Sequence, residues 1–248
     1  MSELEREFGG LLETSESRWA TIMVEGRTWV DADVQSRAWQ AMIDRENKHG
    51  VSRAVFLRSH FARGGATRSQ PAVEPAEHEE TWCLWVTPDV RRAKFEVGGE
   101  IIDVVIEGST FWSNGHGRSI TNGGKQNVGH GQGDGENLIR TPDYCRLLHV
   151  EGVSEGTRLG RHTIEAKTSI GDDTDPFRGR GLHGLTTGAP ELLELSVDRE
   201  RGVVLSASSW FSGMIYRVVE MTEVEFDPEF APEVFRITPK FSSQWTTV

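Results

Sequence analysis

The sequence lacks the features that mark exported, membrane-spanning or disulfide-stabilised proteins. Its two cysteines, Cys83 and Cys145, form no CxxC motif and have no histidine at metal-ligand spacing, so a disulfide framework is not indicated. No apolar run approaches about 18 residues, and the N-terminus is charged from Glu3 onwards. We therefore predict no signal peptide, no lipid anchor and no membrane association, and we expect a cytoplasmic location.

The chain also lacks an excess of positive charge. Its 248 residues include 27 lysines and arginines against 38 aspartates and glutamates, for a net charge of −11. This balance disfavours binding to nucleic acid or to an anionic membrane and suits a small-molecule ligand as the partner. A homo- or hetero-oligomer, or a carrier-protein partner docking on a local basic patch, stays open. The GxSxG, HExxH and phosphate-loop motifs are absent.

Two amphipathic helices are predicted near the N-terminus. The first carries an apolar stripe from Leu4 to Trp19, and the second runs from Asp33 to Lys48 with Asp31 or Asp33 as its cap. We therefore assign residues 1–50 to a helical cover.

The apolar period then changes from helical to two, which is typical of strands. We predict one domain over 1–248, with an antiparallel sheet over 51–226 and an irregular tail over 227–248. Polar loops are placed at 62–81, 114–135 and 171–184, and a short helix at Thr141–Leu148. The predicted strands are 51–61, 82–86, 92–97, 101–106, 110–113, 159–168, 192–197, 203–208 and 215–226. Few helices among short strands indicate the α+β class.

The segment from Asn114 to Gly135 is the strongest candidate for a site, because eight of its 22 residues are glycine. A long polar segment inside a compact domain is usually functional or disordered. His116 and His130 each lie between two glycines and are the candidate catalytic bases. Fourteen positions separate them, which does not suit a local metal site, so we predict neither metal nor cofactor. A simple lid with hydrogen-bonding histidines is the alternative.

Further candidate ligand-binding residues lie within this segment and on the predicted strands that precede it. Positive or amide side chains there can hold an anionic or polar group, and aromatic side chains can line a cavity for a flat or amphipathic ligand. Core packing and solvated surface charge are the alternatives for these residues. The candidates are Arg58, His60, Trp82, Trp85, Trp112, Asn114, Arg118, Asn122 and Lys125.

Several stretches resemble a family of uncharacterised actinobacterial proteins with the fold of the outer-membrane lipoprotein carriers, the LolA-like fold. The stretches are RWATIMVEGRTWV, the TNGG…GHG segment and the YRVVEMTEVEFD run, and the resemblance covers about residues 18 to 238. It implies a strongly curved antiparallel half-barrel, with helices covering the concave face and space for a hydrophobic or amphipathic ligand. Lipoprotein carriers need an export signal that this chain lacks, so the resemblance implies a cytoplasmic variant.

Two functions follow from these observations. The first is a cytoplasmic LolA-like protein whose concave cavity binds a small amphipathic ligand or a biosynthetic intermediate. The second is an enzyme, or an enzyme subunit, of an actinobacterial natural-product pathway. It would use the same cavity for base-assisted ring closure or elimination, for example aziridine formation with loss of sulfate.

Overall fold

We describe the fold from a computed structural model. The structure describes residues 1–48, 77–97, 99–108, 110–115, 118–122, 134–143, 145–170, 180–236 and 245–247. The predicted strand at 51–61 lies outside these residues. In the described part, no helix is long and apolar enough to cross a membrane.

Strands dominate the described residues. The helices are α1 (Glu3–Thr14), α2 (Ala32–Lys48), α3 (Asp134–Ile139) and α4 (Arg180–Thr186). The strands are β1 (Ile22–Asp31), β2 (Glu77–Val86), β3 (Val90–Val97), β4 (Glu100–Glu107), β5 (Thr110–Gly115), β6 (Arg118–Asn122), β7 (Leu148–Arg158), β8 (Arg161–Ile170), β9 (Leu192–Asp198), β10 (Val204–Phe211), β11 (Met214–Phe226) and β12 (Trp245–Thr247).

All twelve strands belong to one sheet, in the order β12-β6-β5-β4-β3-β2-β1-β11-β10-β9-β8-β7. Neighbouring strands are antiparallel except β12 and β6, which are parallel. β1 lies between β2 and β11 and joins a meander of β2–β6 to a second meander of β7–β11. The two halves of the sheet are therefore held together through the first strand of the chain.

The core lies between one face of this sheet and the helices, and we call this side of the sheet the covered face. α1 buries Phe8, Leu11 and Leu12 against β7–β9, and α3 packs against β1, β2, β10 and β11. Inward side chains such as Ile164 and Leu193 have no solvent exposure. The opposite side, which we call the open face, carries mostly polar side chains, as expected for an antiparallel sheet with one packed side.

Local signals fix both N-terminal helices. Ser2 and Glu5 form a reciprocal capping box at the start of α1, in which the Glu5 amide donates to the Ser2 hydroxyl at 3.2 Å. Asp31 caps α2, because its Oδ1 accepts from the Val34 amide at 3.0 Å. The helix predicted from Asp33 to Lys48 is confirmed, and Asp31 is its cap.

Several predictions need correction. The assignment of residues 1–50 to a helical cover is wrong at 22–31, which form the central strand β1. The first helix also ends at Thr14, before Trp19, which the sequence placed on its apolar stripe. The loops predicted at 62–81 and 171–184 end earlier, because β2 begins at Glu77 and α4 begins at Arg180. The segment 114–135 contains β6, which pairs with β5, and the first residues of α3. The helix predicted at Thr141–Leu148 consists of two single 3₁₀ turns followed by β7.

The architecture agrees with the predicted antiparallel sheet and few helices. The prediction of a strongly curved half-barrel is wrong. The sheet is not strongly curled. The described edge strands, β12 and β7, do not pair with one another. The helices pack on one face only, so the described structure is an open sheet with a helical layer.

Candidate functional site

Arg217 of β11 joins the ends of two predicted polar loops. Its Nη2 donates to Oδ2 of Asp134 at 2.5 Å, and its Nε donates to the Gly184 carbonyl at 3.2 Å. Asp134 lies at the end of the glycine-rich segment and begins α3, and Gly184 lies within α4, at the end of the range predicted as the 171–184 loop. The Arg217 residue is only 8% exposed, so the charge-assisted hydrogen bond to Asp134 is shielded from water. A single buried guanidinium therefore binds both the first residue of α3 and the backbone of α4.

The Asp134 carboxylate continues this network into the sheet. The Thr28 hydroxyl donates to Asp134 Oδ2 at 2.7 Å, and the Trp82 indole N–H donates to Thr28 Oγ1 at 3.2 Å. Thr28 and Trp82 are 1% and 5% exposed. A buried polar group without a partner is unfavourable. These two hydrogen bonds satisfy the Thr28 hydroxyl and the Trp82 indole N–H, so both side chains can be buried on the covered face.

Two glycines make room for the Trp82 ring. A Cβ atom at Gly26 would lie 2.3 Å from the ring, and one at Gly135 would lie 2.4 Å from it. Real Cβ atoms do not approach other heavy atoms so closely, so both positions require glycine while Trp82 keeps this place. The indole thus separates β1 from the first turn of α3 and sets where the glycine-rich segment ends.

The C-terminal end of α4 is bound by side chains from the sheet. Besides the Arg217 bond to Gly184, the Ser209 hydroxyl donates to the Leu185 carbonyl at 3.2 Å. The Tyr216 hydroxyl donates to the Thr186 carbonyl at 2.6 Å. The last carbonyls of a helix have no partner within the helix, and here three consecutive ones are satisfied by β10 and β11. Burial raises the pKa of Tyr216 well above its usual value.

Two titratable side chains of β2 lie in register with this network. His78 is opposite Val30, which in turn is opposite Arg217, and Glu80 is opposite Thr28. The Nδ1 atom of His78 is buried and has no hydrogen-bond partner among the described atoms. These two residues, together with Thr28 and Arg217, bring charged and hydroxyl groups close to one another on this part of the covered face.

The structure separates the aromatic residues that the sequence groups together. Trp82 lies in the core of the covered face, which favours a packing role for it. Trp85 and Trp112 lie on the open face, as the alternation along a strand requires. There the Trp85 ring lies 5.9 Å from the Arg92 guanidinium carbon and 5.5 Å from the Lys94 nitrogen.

The remaining predicted site residues do not meet at one place. Asn114 is on the open face, 6% exposed and opposite Asp103. Arg118 and Asn122 belong to β6, but their side chains are outside the description. The other candidates fall outside the described residues altogether, so their roles stay predictions: Arg58, His60, His116, Lys125 and His130.

Sequence reasoning missed the residues that the structure brings together. Asp134 lies within the glycine-rich segment, but no motif around it marks it as a site residue. Arg217 had one usable signal, because it shares its strand phase with the apolar Val219 and Met221. A charge in phase with core positions is typical of a buried, paired group. Within the described residues, no group of three or more acidic, cysteine or histidine side chains is placed to hold a metal ion.

The fold is therefore an antiparallel sheet with a helical layer on one face, and it carries a polar cluster on part of the covered face. No family model matches the sequence. No curated protein matches it either.

Similarity to solved structures is found at the level of the fold. An uncharacterized conserved protein from Thermus thermophilus has a TM-score of 0.50 at 10% identity, over 98% of this chain and 99% of that one. A chain of the Pseudomonas aeruginosa MucA/MucB complex has a TM-score of 0.41 at 12% identity, over 94% of this chain and 61% of that one.

A LolA superfamily protein from Nitrosomonas europaea has a TM-score of 0.36 at 7% identity, over 92% of this chain and 96% of that one. The chain shares its fold with the Thermus thermophilus protein. The TM-scores of the other two structures are too low to bear on function.

Proposed function

We propose that this protein is a LolA-like binding protein for a small amphipathic ligand, and that Arg217 holds the anionic group of the ligand. The observation that carries the proposal is the Arg217–Asp134 pair. It amounts to a carboxylate-binding site that is filled by the end of the chain's own glycine-rich segment. An external carboxylate, sulfate or phosphate group would replace Asp134 as the partner of the guanidinium.

The apolar part of the ligand would lie on the covered face. The side chains next to the network are a large aromatic ring, Trp82, and aliphatic groups such as Val30 and Leu138. α3 packs on this part of the sheet and α4 packs on α3, so entry of a ligand requires the two helices to move away from the sheet. Arg217 contacts the start of α3 and the end of α4, and exchange of its partner would therefore couple ligand binding to this movement.

The experiment is a titration of the purified protein with 11-(dansylamino)undecanoic acid, an amphiphile with a carboxylate, followed by dansyl fluorescence. We expect saturable binding to the unmodified protein. Asp134→Asn removes the competing carboxylate and should strengthen binding about tenfold or more, because the ligand no longer has to displace an intramolecular partner of Arg217. Arg217→Met should abolish saturable binding.

Controls separate recognition of the anion from general loss of structure. Arg236→Gln removes a positive charge whose side chain is 73% exposed, and it should leave binding unchanged. N-phenyl-1-naphthylamine, a neutral apolar probe, should bind equally to the unmodified protein and to Arg217→Met. Unchanged binding of the carboxylate probe to a folded Arg217→Met variant would refute the proposal, and so would weaker binding to Asp134→Asn.

The enzymatic alternative stays a prediction. Base-assisted ring closure or elimination needs a base beside the substrate, and His116 and His130 lie outside the described residues. The cytoplasmic location likewise stays a prediction.

A further inference from the structure

The open face carries a second candidate binding site, independent of the Arg217 network. A groove with a volume of about 390 Å³ lies over β7, β8 and β9. This volume is within the usual range for small-molecule sites. Its polar lining residues are Ser154, Glu165, Lys167 and Glu194, and Gly152 widens it at the β7 side.

Glu165 is the distinctive residue of this groove. Its Oε1 atom accepts hydrogen bonds from the Thr163 hydroxyl at 2.6 Å and from the Ser196 hydroxyl at 2.7 Å. Both donors are almost fully buried, at 1% and 3% exposure. A Cβ atom at Gly156 would lie 2.7 Å from both Cγ and Oε1 of Glu165. The carboxylate is thus held in one position by two hydroxyls and the bare backbone of β7.

Glu165 also differs from its acidic neighbours in charge pairing. Glu194 lies 3.3 Å from the Lys167 ammonium, and Glu220 is bound by Arg27 and Arg158. Within the described residues, no cationic group lies within ion-pair distance of Glu165. A half-buried carboxylate is normally paired with a positive charge. Among the described residues Glu165 lacks such a partner, and a bound cation would provide it.

We propose that the groove binds a small organic cation through an ammonium group placed at Glu165. An ammonium group offers three N–H donors. The Glu165 carboxylate supplies the charged acceptor, and the Ser154 hydroxyl lies in the same lining. Glu194 occupies a diagonal position on the next strand, because Glu165 is opposite Ser196 and Glu194 is opposite Lys167. A linear diamine can therefore reach both carboxylates.

The test uses putrescine as the probe, with 1,4-butanediol as its neutral counterpart, in calorimetric titrations of the full chain at low salt. We expect putrescine to bind saturably and the diol not to bind. Glu165→Gln keeps the acceptor for both hydroxyls but removes the charge, so affinity should fall about tenfold or more. Glu151→Gln removes an exposed charge of β7 outside the groove and should leave the affinity unchanged.

An NMR measurement detects putrescine binding directly, so a change in the stability of a variant cannot be mistaken for a change in binding. The indole N–H of Trp210 donates to Glu194 at 3.1 Å, and its NMR signal should shift on addition of putrescine in the unmodified protein only. The proposal is overturned if the unmodified protein shows no saturable binding at millimolar putrescine. It is also overturned if Glu165→Gln, with an unchanged NMR fingerprint, binds as well as the unmodified protein.

Discussion

Replacing Arg217 by methionine, alone and together with Asp134→Asn, is the sharpest test of the network that joins the two loop ends to the sheet. Methionine keeps much of the apolar stem but removes both donors. The single Arg217 variant leaves the largely buried Asp134 carboxylate, at the start of α3, without its cation. The double variant removes the stranded charge as well, so the two substitutions should not be additive.

The magnitude follows from burial and from the number of contacts. The Arg217 side chain is 9% exposed and that of Asp134 is 20% exposed. Loss of one charge-assisted hydrogen bond and of the bond to the Gly184 carbonyl should lower the free energy of unfolding by about 3 kcal/mol. Asp134→Asn keeps the hydrogen bond from Thr28 and should lower it by about 2 kcal/mol. The double variant should also lose about 3 kcal/mol, which gives a coupling energy of about 2 kcal/mol.

The assay is urea denaturation followed by circular dichroism, with calorimetry as a second measure. For a chain of this size, about 3 kcal/mol corresponds to a decrease in Tm of about 6 to 12 °C. The matched control is the cycle between Arg236 and Glu233, an exposed pair separated by 3.6 Å, for which we expect a coupling energy below about 0.5 kcal/mol. A coupling energy for Arg217 and Asp134 as small as that of the control would mean that the buried pair does not stabilise the fold.

Two further predictions concern packing and pH. Gly135→Ala places a methyl group against the Trp82 ring and should destabilise the fold by about 1 to 3 kcal/mol, whereas Gly9→Ala, in open space within α1, should stabilise it by about 0.5 to 1 kcal/mol. Melting shifts of the same sign for both would contradict this account. Because burial raises the pKa of Tyr216, the folded state retains a proton that the unfolded state releases above about pH 10. The free energy of unfolding should therefore fall above this pH, by at most about 1.4 kcal/mol per pH unit. Tyr216→Phe should remove this decrease of the free energy of unfolding with pH, as measured by urea titrations at several pH values. An unchanged pH dependence in the variant would mean that Tyr216 is not its source.

The sequence predicts the local parts of the fold well. β3, β4, β9 and β10 are short apolar or alternating strands between sharp turns, and their bounds lie within three residues of those predicted. The period of two and the turn residues are properties of neighbouring positions, so no tertiary information is needed to read them. The same holds for α2, whose apolar stripe and cap are adjacent in sequence.

The elements that the sequence does not predict are those defined by distant partners. β7 contains two glycines and two glutamates and lacks a clear alternation, and it is a strand because β8 pairs with it along its length. β6 consists of five residues within a polar segment, where pairing with β5 and β12 outweighs propensity.

The candidate site was hidden for the same reason. Asp134 and Arg217 are far apart in sequence, and neither forms a motif with its neighbours. The charge of Arg217 among apolar positions indicated a buried partner but not which residue it was. The glycine-rich segment drew attention to the correct region, yet its contribution in the described structure comes from its last two residues, Asp134 and Gly135.

The position of β1 has a consequence for the order of folding. Ile22 pairs with Phe226 of β11 and with Val86 of β2. β1 is the first strand to be synthesised, and β11, one of its two partners, is among the last. At synthesis rates of about 5 to 20 residues per second, β11 leaves the ribosome about 10 to 40 s after β1. During that interval one edge of β1 has no partner, and contacts of such high sequence separation form slowly. The nascent chain is therefore expected to depend on chaperones until β11 is available to close the sheet.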